Sequence, residues 1–573
     1  MKKILLCSIN ARYSQTNLAI RYLASYITKN VPAAAVCIRE WTIQQQLLDI
    51  IRDIAEEEPE LVLFSVYIWN RELSFKAMGE LKKLFSDMPV GAGGPEVSWQ
   101  AERIFRETPV PDFIIQGEGE KTAAELAAAI TGGKKRSLSL PAIPGIWYRS
   151  ADKPETALFS GERELIGNLD SIPFPYALAG NLPEDAANRI LYYESARGCP
   201  FRCAYCLSSL DKSVRYFSLE RVIGDIDFFL EKRLPLIKFV DRTFNLDTER
   251  YCAIWEHIIR NHNGVTTFHF EIAAEYLSDA AFALLERAPE GAIQFEIGIQ
   301  SVNGETLRRV RRSADTEKAA DKIRRIPPQI HTHLDLIAGL PGETLADIRR
   351  SFDYTIALRP QMLQLGFLKI LSGTEMEEIA EKEAIVFTES PPYQVLQTRQ
   401  LPWRDIQTLR DIEHLLDIYY NSGRFPSVCI LIAETPAELP PHTGSAFDFF
   451  RLLAEKLSGE GILYLPRKQT GYFSSLAELF AGKHHLMERL RFDYLSAEKP
   501  GAFPGWFERR YHKTAHEQAL RVHTNIQSSR ERYARSEYEV FAIHPLTGEE
   551  RETEILFLYE SVKTRFVILN STG

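Results

Sequence analysis

The strongest constraint on this chain is a repeated alternation of short, uninterrupted apolar runs with amphipathic stretches. In residues 1–145 the apolar runs are 3–9, 35–40, 61–67, 90–93 and 113–116. Between them lie helical patterns at 18–29, 43–57, 71–86, 99–107 and 121–130. Strands that are apolar on both faces belong to parallel sheets covered by helices on each side, because parallel neighbours need a crossover that a helix supplies. Ligands of such sheets sit outside the carboxyl ends of the strands. Residues expected at that edge are Asn10, Ser14, Ser65, Tyr67, Gly93, Gly94, Glu96, Gly117, Glu118 and Glu120. The alternation restarts at 190–194 and continues through 236–240, 267–272, 292–301, 331–337 and 362–370, spaced for a partial parallel barrel.

The first loop of this second unit reads Gly198-Cys199-Pro200-Phe201-Arg202-Cys203-Ala204-Tyr205-Cys206. Three thiolates within eight residues can converge on one metal centre. The next cysteine is Cys252 and the first histidine of the chain is His257, so neighbouring sequence supplies no fourth ligand. Structural zinc normally closes with four protein ligands. A [4Fe–4S] cluster held by three thiolates leaves one iron open to a substrate. A zinc knuckle and three unrelated core cysteines are the other readings.

Composition bounds the class. With 573 residues, 45% of them hydrophobic, the chain has material for several cores. Seven cysteines, three of them clustered, do not form a disulfide framework. No apolar run approaches bilayer length and the N-terminus lacks a signal-peptide pattern, so the expectation is a cytoplasmic protein. A formal net charge of −9 gives no electrostatic reason to expect nucleic acid.

CxxxCxΦC, with Tyr205 before the last cysteine, resembles the signature of the radical S-adenosylmethionine (radical SAM) superfamily. Three later runs agree with it in order: Asp241–Asn245 ("DxxFN"), 296–301 ("ExGxQS") and 339–344 ("GLPGET"). The preceding α/β unit, with "GGPEVS" and "DxxxxGEGE", resembles the cobalamin-binding domain of B12-dependent radical SAM proteins. The DxHxxG motif of other B12 proteins is absent, so no histidine of this domain lies under cobalt. The resemblance implies a Rossmann-like (flavodoxin-like) cobalamin domain at 1–145, a linker at 146–189 and a radical SAM partial (β/α)6 barrel at 190–372. A mixed α+β C-terminal domain of unknown function follows at 373–573.

It further implies a [4Fe–4S] cluster on Cys199, Cys203 and Cys206. S-adenosylmethionine would contact Tyr205, Asp241, Asn245, Glu296, Gln300, Ser301, Gly339 and Pro341, and cobalamin the sheet-edge residues named above. The expected activity is cobalamin-dependent methylation of an unactivated carbon in a small-molecule or peptide substrate, with flavodoxin or ferredoxin as electron donor. A radical SAM enzyme of another reaction type and a non-catalytic iron–sulfur protein are the alternatives. The basic stretch 509–535, with seven Lys/Arg, reads first as a solvated helix face and second as a contact for an anionic substrate.

Overall fold

The computed structural model describes residues 1–132, 140–178, 180–211, 213–312, 315–524, 533–560 and 564–569. Residues 525–532 of the basic stretch thus lie outside the described residues. Five parallel strands open the chain: β1 (Lys2–Asn10), β2 (Ala34–Thr42), β3 (Leu61–Ser65), β4 (Val90–Gly93) and β5 (Phe113–Ile115). Two more strands, β6 (Ile146–Arg149) and β7 (Ala157–Phe159), join antiparallel at the edge, giving the order β2-β1-β3-β4-β5-β6-β7. The first 14 residues of the expected linker therefore complete this sheet. Their reason is local: Trp147 stacks on Phe159 with ring centroids 4.7 Å apart, and Ile146 is buried against the sheet.

Helices cover both faces. Ile50, Ile54, Met78, Leu81 and Ile104 pack on one side, and Ile20, Ile27, Ala123, Leu126 and Ile130 on the other. Each fully buried large aliphatic side chain contributes about 1.5–3 kcal/mol of transfer free energy. The first helix starts where Asn17 accepts a hydrogen bond from the Ile20 amide.

The second unit contains β8 (Ile190–Tyr193), β11 (Leu236–Phe239), β12 (Thr267–Ile272), β13 (Ile293–Gln300), β14 (His331–Ala338) and β15 (Met362–Phe367). All are parallel, in the order β15-β14-β13-β12-β11-β8. A two-residue ladder of β9 (Ala196–Arg197) and β10 (Arg215–Tyr216) pins both ends of the cysteine loop. Strand alternation sorts β13: Ile293, Phe295, Ile297 and Ile299 are buried in the outer core, while Gln294, Glu296, Gly298 and Gln300 occupy the other face. The same rule puts Lys238, His269, Glu271, His333 and Asp335 on the lumen side.

The open side of this partial barrel, at β8, meets the first sheet. Gln15 bridges Ile190 in parallel, the Ile190 amide donates to Ser14 O at 2.6 Å, and Thr16 Oγ1 donates to Ile190 O at 2.9 Å. The carboxyl edge of the first sheet therefore faces the barrel.

The C-terminal segment shares its core with the barrel. Phe352 on barrel helix Leu345–Ile356 packs edge-on against Phe447 and Phe450 of helix Ala446–Gly459. The rest comprises the small ladder β16 (Val386–Phe387) with β17 (Val395–Gln397), several helices, and an antiparallel meander of β18 (Ser536–Phe541), β19 (Thr553–Tyr559) and β20 (Thr564–Ile568). Among the described residues no helix is long and apolar enough to cross a membrane.

Candidate metal and cofactor site

The cysteine loop is shaped by backbone contacts on both sides. Gly198 has φ +93, and a Cβ there would stand 2.0 Å from the Ser213 carbonyl oxygen, so only glycine fits. Beyond it the Ala204 amide donates to Val310 O at 2.9 Å, and the Met376 amide donates to Ala204 O at 3.0 Å. Cys199 and Cys203 are buried and Cys206 half-buried, and all three thiols are free. Burial raises the Cys199 thiol, with smaller upward contributions from Cys206 and Cys203 beside it. The three sulfurs do not gather within 4.8 Å of one another as ligands of one ion would. Tetrahedral zinc needs sulfur–sulfur separations of about 3.8 Å, from a Zn–S bond of about 2.3 Å.

A cavity of about 130 Å³ adjoins the loop in the barrel lumen. Its walls are Phe201, Cys203, Arg242, Thr243, Glu271, Ile272, Ala273, Glu275, Glu296, Gly298, Gln300, Arg312 and Asp335. Thr243 Oγ1 lies 4.0 Å from Cys199 Sγ. Arg312 sends Nη1 to within 3.9 Å of Cys203 Sγ and donates through Nη2 to Gly298 O. Gln300 has φ +67 and folds over Gly298, leaving Oε1 buried without a hydrogen bond. A half-buried guanidinium beside thiols and an unsatisfied amide oxygen fit an anionic cluster and a polar ligand bound next to it.

Of the residues expected to touch S-adenosylmethionine, Glu296 and Gln300 line this cavity. Glu296 Oε2 lies 2.7 Å from Lys238 Nζ and 3.0 Å from His269 Nε2. Burial acts to raise its carboxyl, but the His269 hydrogen bond and the Lys238 charge prevail and hold it at about 2. Tyr205 points its hydroxyl among Cys203 and Arg312, where burial raises it and no hydrogen bond of good geometry forms.

Asp241, Asn245 and Ser301 turn away. Asp241 accepts from the Ser195 amide (2.8 Å) and the Ser195 hydroxyl (2.6 Å), and burial pushes its carboxyl up to about 7. Asn245 exchanges two hydrogen bonds with the Ala273 backbone, at 2.8 and 2.9 Å. Ser301 Oγ donates to Glu343 Oε1 at 2.6 Å. Gly339 and Pro341 are buried in the turn after β14, Gly339 under Val395.

The sheet-edge residues divide similarly. Asn10 Nδ2 donates to Gln15 O and Glu40 Oε1, and Ser65 Oγ accepts from Asn17 Nδ2. Glu96 binds Arg71 (2.9 Å) and accepts from the Tyr393 hydroxyl (2.5 Å). Glu118 pairs with Arg197 (3.2 Å) and Arg215 (2.7 Å), and Glu120 with Arg197 (2.5 Å). These three carboxylates clamp the first domain to the barrel and C-terminal segment. Gly93 is half-buried, Gly94 packs on the Val66 carbonyl, and Gly117 is exposed. Tyr67 stacks on Trp69 at 4.5 Å. Burial pushes its phenol up, opposed by the guanidinium of Arg242 from the barrel.

A second cavity of about 630 Å³ lies at this same carboxyl edge, between Ile43, Gln45, Ile68, Trp69, Glu72, Leu73 and Lys76 of the first domain and Lys369, Pro391 and Pro392. Trp69 is 45% exposed and Ile43 42%, so large apolar surface faces the opening. Apolar walls with scattered amide and ammonium groups fit a broad, amide-rimmed macrocycle such as a corrin.

Three family models match: a B12 binding domain over residues 5–127, the Radical SAM superfamily over 193–355, and the Protein of unknown function (DUF4080) family over 381–547. An uncharacterized methyltransferase of Pyrococcus horikoshii is 27% identical over 349 residues, 59% of this chain and 73% of the relative. The cobalamin-dependent radical SAM methyltransferase TokK of Streptomyces tokunonensis is 25% identical over 310 residues, 51% of this chain but only 44% of TokK. The cobalamin-dependent S-adenosylmethionine radical enzyme OxsB with aqua-cobalamin bound superimposes with a TM-score of 0.61 at 15% identity, over 86% of this chain and 80% of OxsB. The three matches in this order are those of a radical SAM protein with an N-terminal B12-binding domain and a C-terminal domain of unknown function, and the two cofactor-binding matches imply a [4Fe–4S] cluster, S-adenosylmethionine and cobalamin.

Proposed function

We propose that this protein is a cobalamin-dependent radical SAM methyltransferase acting on an unactivated carbon of a small-molecule or peptide substrate. The observation that carries this reading is the junction at Arg242 and Thr243. Both residues line the lumen cavity; the charge of Arg242 is felt by Tyr67 at the carboxyl edge of the first sheet, while Thr243 Oγ1 lies 4.0 Å from Cys199 Sγ. Ligands held at the sheet edge and at the cysteine loop would meet across two adjacent residues. When bound, the cluster with S-adenosylmethionine supplies a 5′-deoxyadenosyl radical and cobalamin a transferable methyl group, which suits a C–H bond that no general base ionises.

The chain's own residues do the positioning. Cys199, Cys203 and Cys206 would hold three irons of the cluster, and the Arg312 guanidinium, 3.9 Å from Cys203 Sγ, would offset its anionic charge. Glu271, Glu275, Glu296 and Gln300 offer acceptors to the amino group and ribose hydroxyls of S-adenosylmethionine. Ile43, Ile68 and Trp69 would cover the corrin, and the first domain contains no histidine to ligate its cobalt. The domain division follows as 1–159 for the cobalamin domain and a connector shortened to 160–189, ahead of the barrel and C-terminal segment. The enzyme works in the cytoplasm and takes its electron from a flavodoxin or ferredoxin.

The test is isotopic. Protein reconstituted anaerobically with iron, sulfide and hydroxocobalamin is incubated with methyl-labelled S-adenosylmethionine and a low-potential reductant. Labelled methyl-corrinoid and S-adenosylhomocysteine should accumulate. Formation of 5′-deoxyadenosine without either product overturns methyl transfer and leaves another radical reaction.

A further inference from the structure

Three lumen residues form one cluster: Glu296 of β13, which also stands as an acceptor toward S-adenosylmethionine, and His333 and Asp335 of β14, which the proposed function does not use. Register brings them together. Glu296 pairs with His333 and Gly298 with Asp335, so alternate residues of two adjacent strands share one face. One ligand atom from each of the three lies within 4.8 Å of the others. His333 is 8% exposed, and neither its Nε2 nor Asp335 Oδ1 makes a hydrogen bond of acceptable geometry, although the two atoms stand only 2.9 Å apart. An ordinary buried ion pair aims its N–H at the carboxylate. Here a nitrogen and an oxygen approach side-on. Adjacent ligands of one ion stand that way: metal–ligand bonds of about 2.1 Å put cis ligands about 3.0 Å apart.

The surroundings agree. His269 Nε2 reaches Glu296 Oε2 at 3.0 Å and fixes the carboxylate as an outer partner of a metal site does, while Lys238 Nζ at 2.7 Å takes the place beside that oxygen that a cation would claim. Glu271, Glu275, Glu296 and Asp335 line the lumen cavity against Arg242 and Arg312, with Lys238 behind, so the cavity holds more carboxylate than cation. Glu296 and Asp335 both open onto that cavity.

We propose that the barrel lumen contains a second metal site, in which Glu296, His333 and Asp335 bind one divalent cation distinct from the cysteine-bound cluster. One imidazole and two carboxylates form a hard-to-borderline donor set, suited to Mn²⁺, Fe²⁺ or Zn²⁺ and unlike the soft thiolate set of the loop. Three protein ligands leave coordination positions facing the cavity. The cation would take an oxygen donor, such as a carboxylate or hydroxyl, of the molecule bound there.

Mn²⁺ is the probe, because it is followed by electron paramagnetic resonance and has low affinity for thiolates. Chelator-stripped full-length protein should bind one Mn²⁺ per chain. Asp335→Asn and His333→Gln should each weaken binding about tenfold or more, while Cys203→Ala retains it. Lys238→Met should tighten binding, because an ammonium that competes for Glu296 is gone; a structural network would lose, not gain, by this change. Absence of bound Mn²⁺ in the wild type, binding that follows Cys203 rather than Asp335, or weaker binding in Lys238→Met overturns the site.

Discussion

Arg197 is the sharpest test of how the first domain is joined to the barrel. Its guanidinium contacts Glu120 at 2.5 Å, Glu194 at 2.8 Å and Glu118 at 3.2 Å, with the arginine side chain 13% exposed. Arg197→Met keeps the length and apolar stem but removes the charge. Arg215 still holds Glu118 at 2.7 Å, so Glu120 and Glu194 lose the cation they share. Removing one member of a buried ion pair costs about 3–5 kcal/mol, mostly from the charge left behind. At 1.36 kcal/mol per factor of ten, that is about 2.2 to 3.7 orders of magnitude in a local opening constant. A single unfolding free energy is ill-defined for a multidomain chain, so the readout is amide hydrogen exchange around β9 and helix Glu120–Thr131. The sign with pH is fixed by Glu194, whose carboxyl is raised by burial and pulled down by Arg197. Without the guanidinium it rises further. A raised carboxyl penalises the folded state above the unfolded pKa, increasingly until the folded pKa is passed. The exchange gap between variant and wild type should therefore be large at pH 8 and shrink toward pH 5. Equal exchange at pH 8, or a gap indifferent to pH, would refute the clamp.

Two further outcomes follow from local geometry. Gly198→Ala forces a Cβ to 2.0 Å from the Ser213 carbonyl oxygen at positive φ, so the cysteine loop must shift. Iron retained after anaerobic reconstitution should fall several-fold with far-UV dichroism unchanged; full iron loading would contradict the stated role of the turn. Glu343 is pushed up to about 8 by burial, against the hydrogen bond from Ser301. The folded chain keeps a proton that the unfolded chain releases above about pH 4.3, so stability declines from there to about pH 8. Glu343→Gln should gain on wild type in melting temperature across that window, and parallel curves would exclude the effect.

The sheet and barrel were legible because their signal is local. Uninterrupted apolar runs such as 61–67 and 113–116 fix parallel strands without knowledge of distant residues. The β6–β7 hairpin lies inside the expected linker, because strands of four and three residues carry little periodicity and their anchor is the contact of Trp147 with Phe159. Roles of individual polar residues were less legible. Asp241, Asn245 and Ser301 stand at strand ends, as ligand-facing residues do, yet their partners Ser195, Ala273 and Glu343 lie 28–46 residues away in sequence. Arg312 belongs to no run that the reading singled out. A usable signal did exist for the lumen: Glu296, His333 and Asp335 alternate with apolar residues in strands that a fully apolar barrel would fill with Val, Ile and Leu.

The carboxyl edge of the first sheet divides its loops by chemistry. The loop after β5 carries Glu118 and Glu120, and the segment after β4 carries Glu96. All three acids meet arginines, and Glu96 also meets Tyr393, so this half of the edge is closed by charge. The loops after β2 and β3 contribute Ile43, Ile68 and Trp69 instead, and face the 630 Å³ cavity. Large apolar side chains left 42–45% exposed beside a cavity are costly in water, and the cost is removed by a ligand with an apolar face. Charge fixes the orientation of the two domains at one half of the edge, and apolar surface at the other half remains for a ligand. A corrin seated there is held near the barrel by contacts to which it contributes none. The clamp can therefore be weakened without touching the corrin's own walls, and the Arg197 experiment separates domain geometry from cofactor affinity.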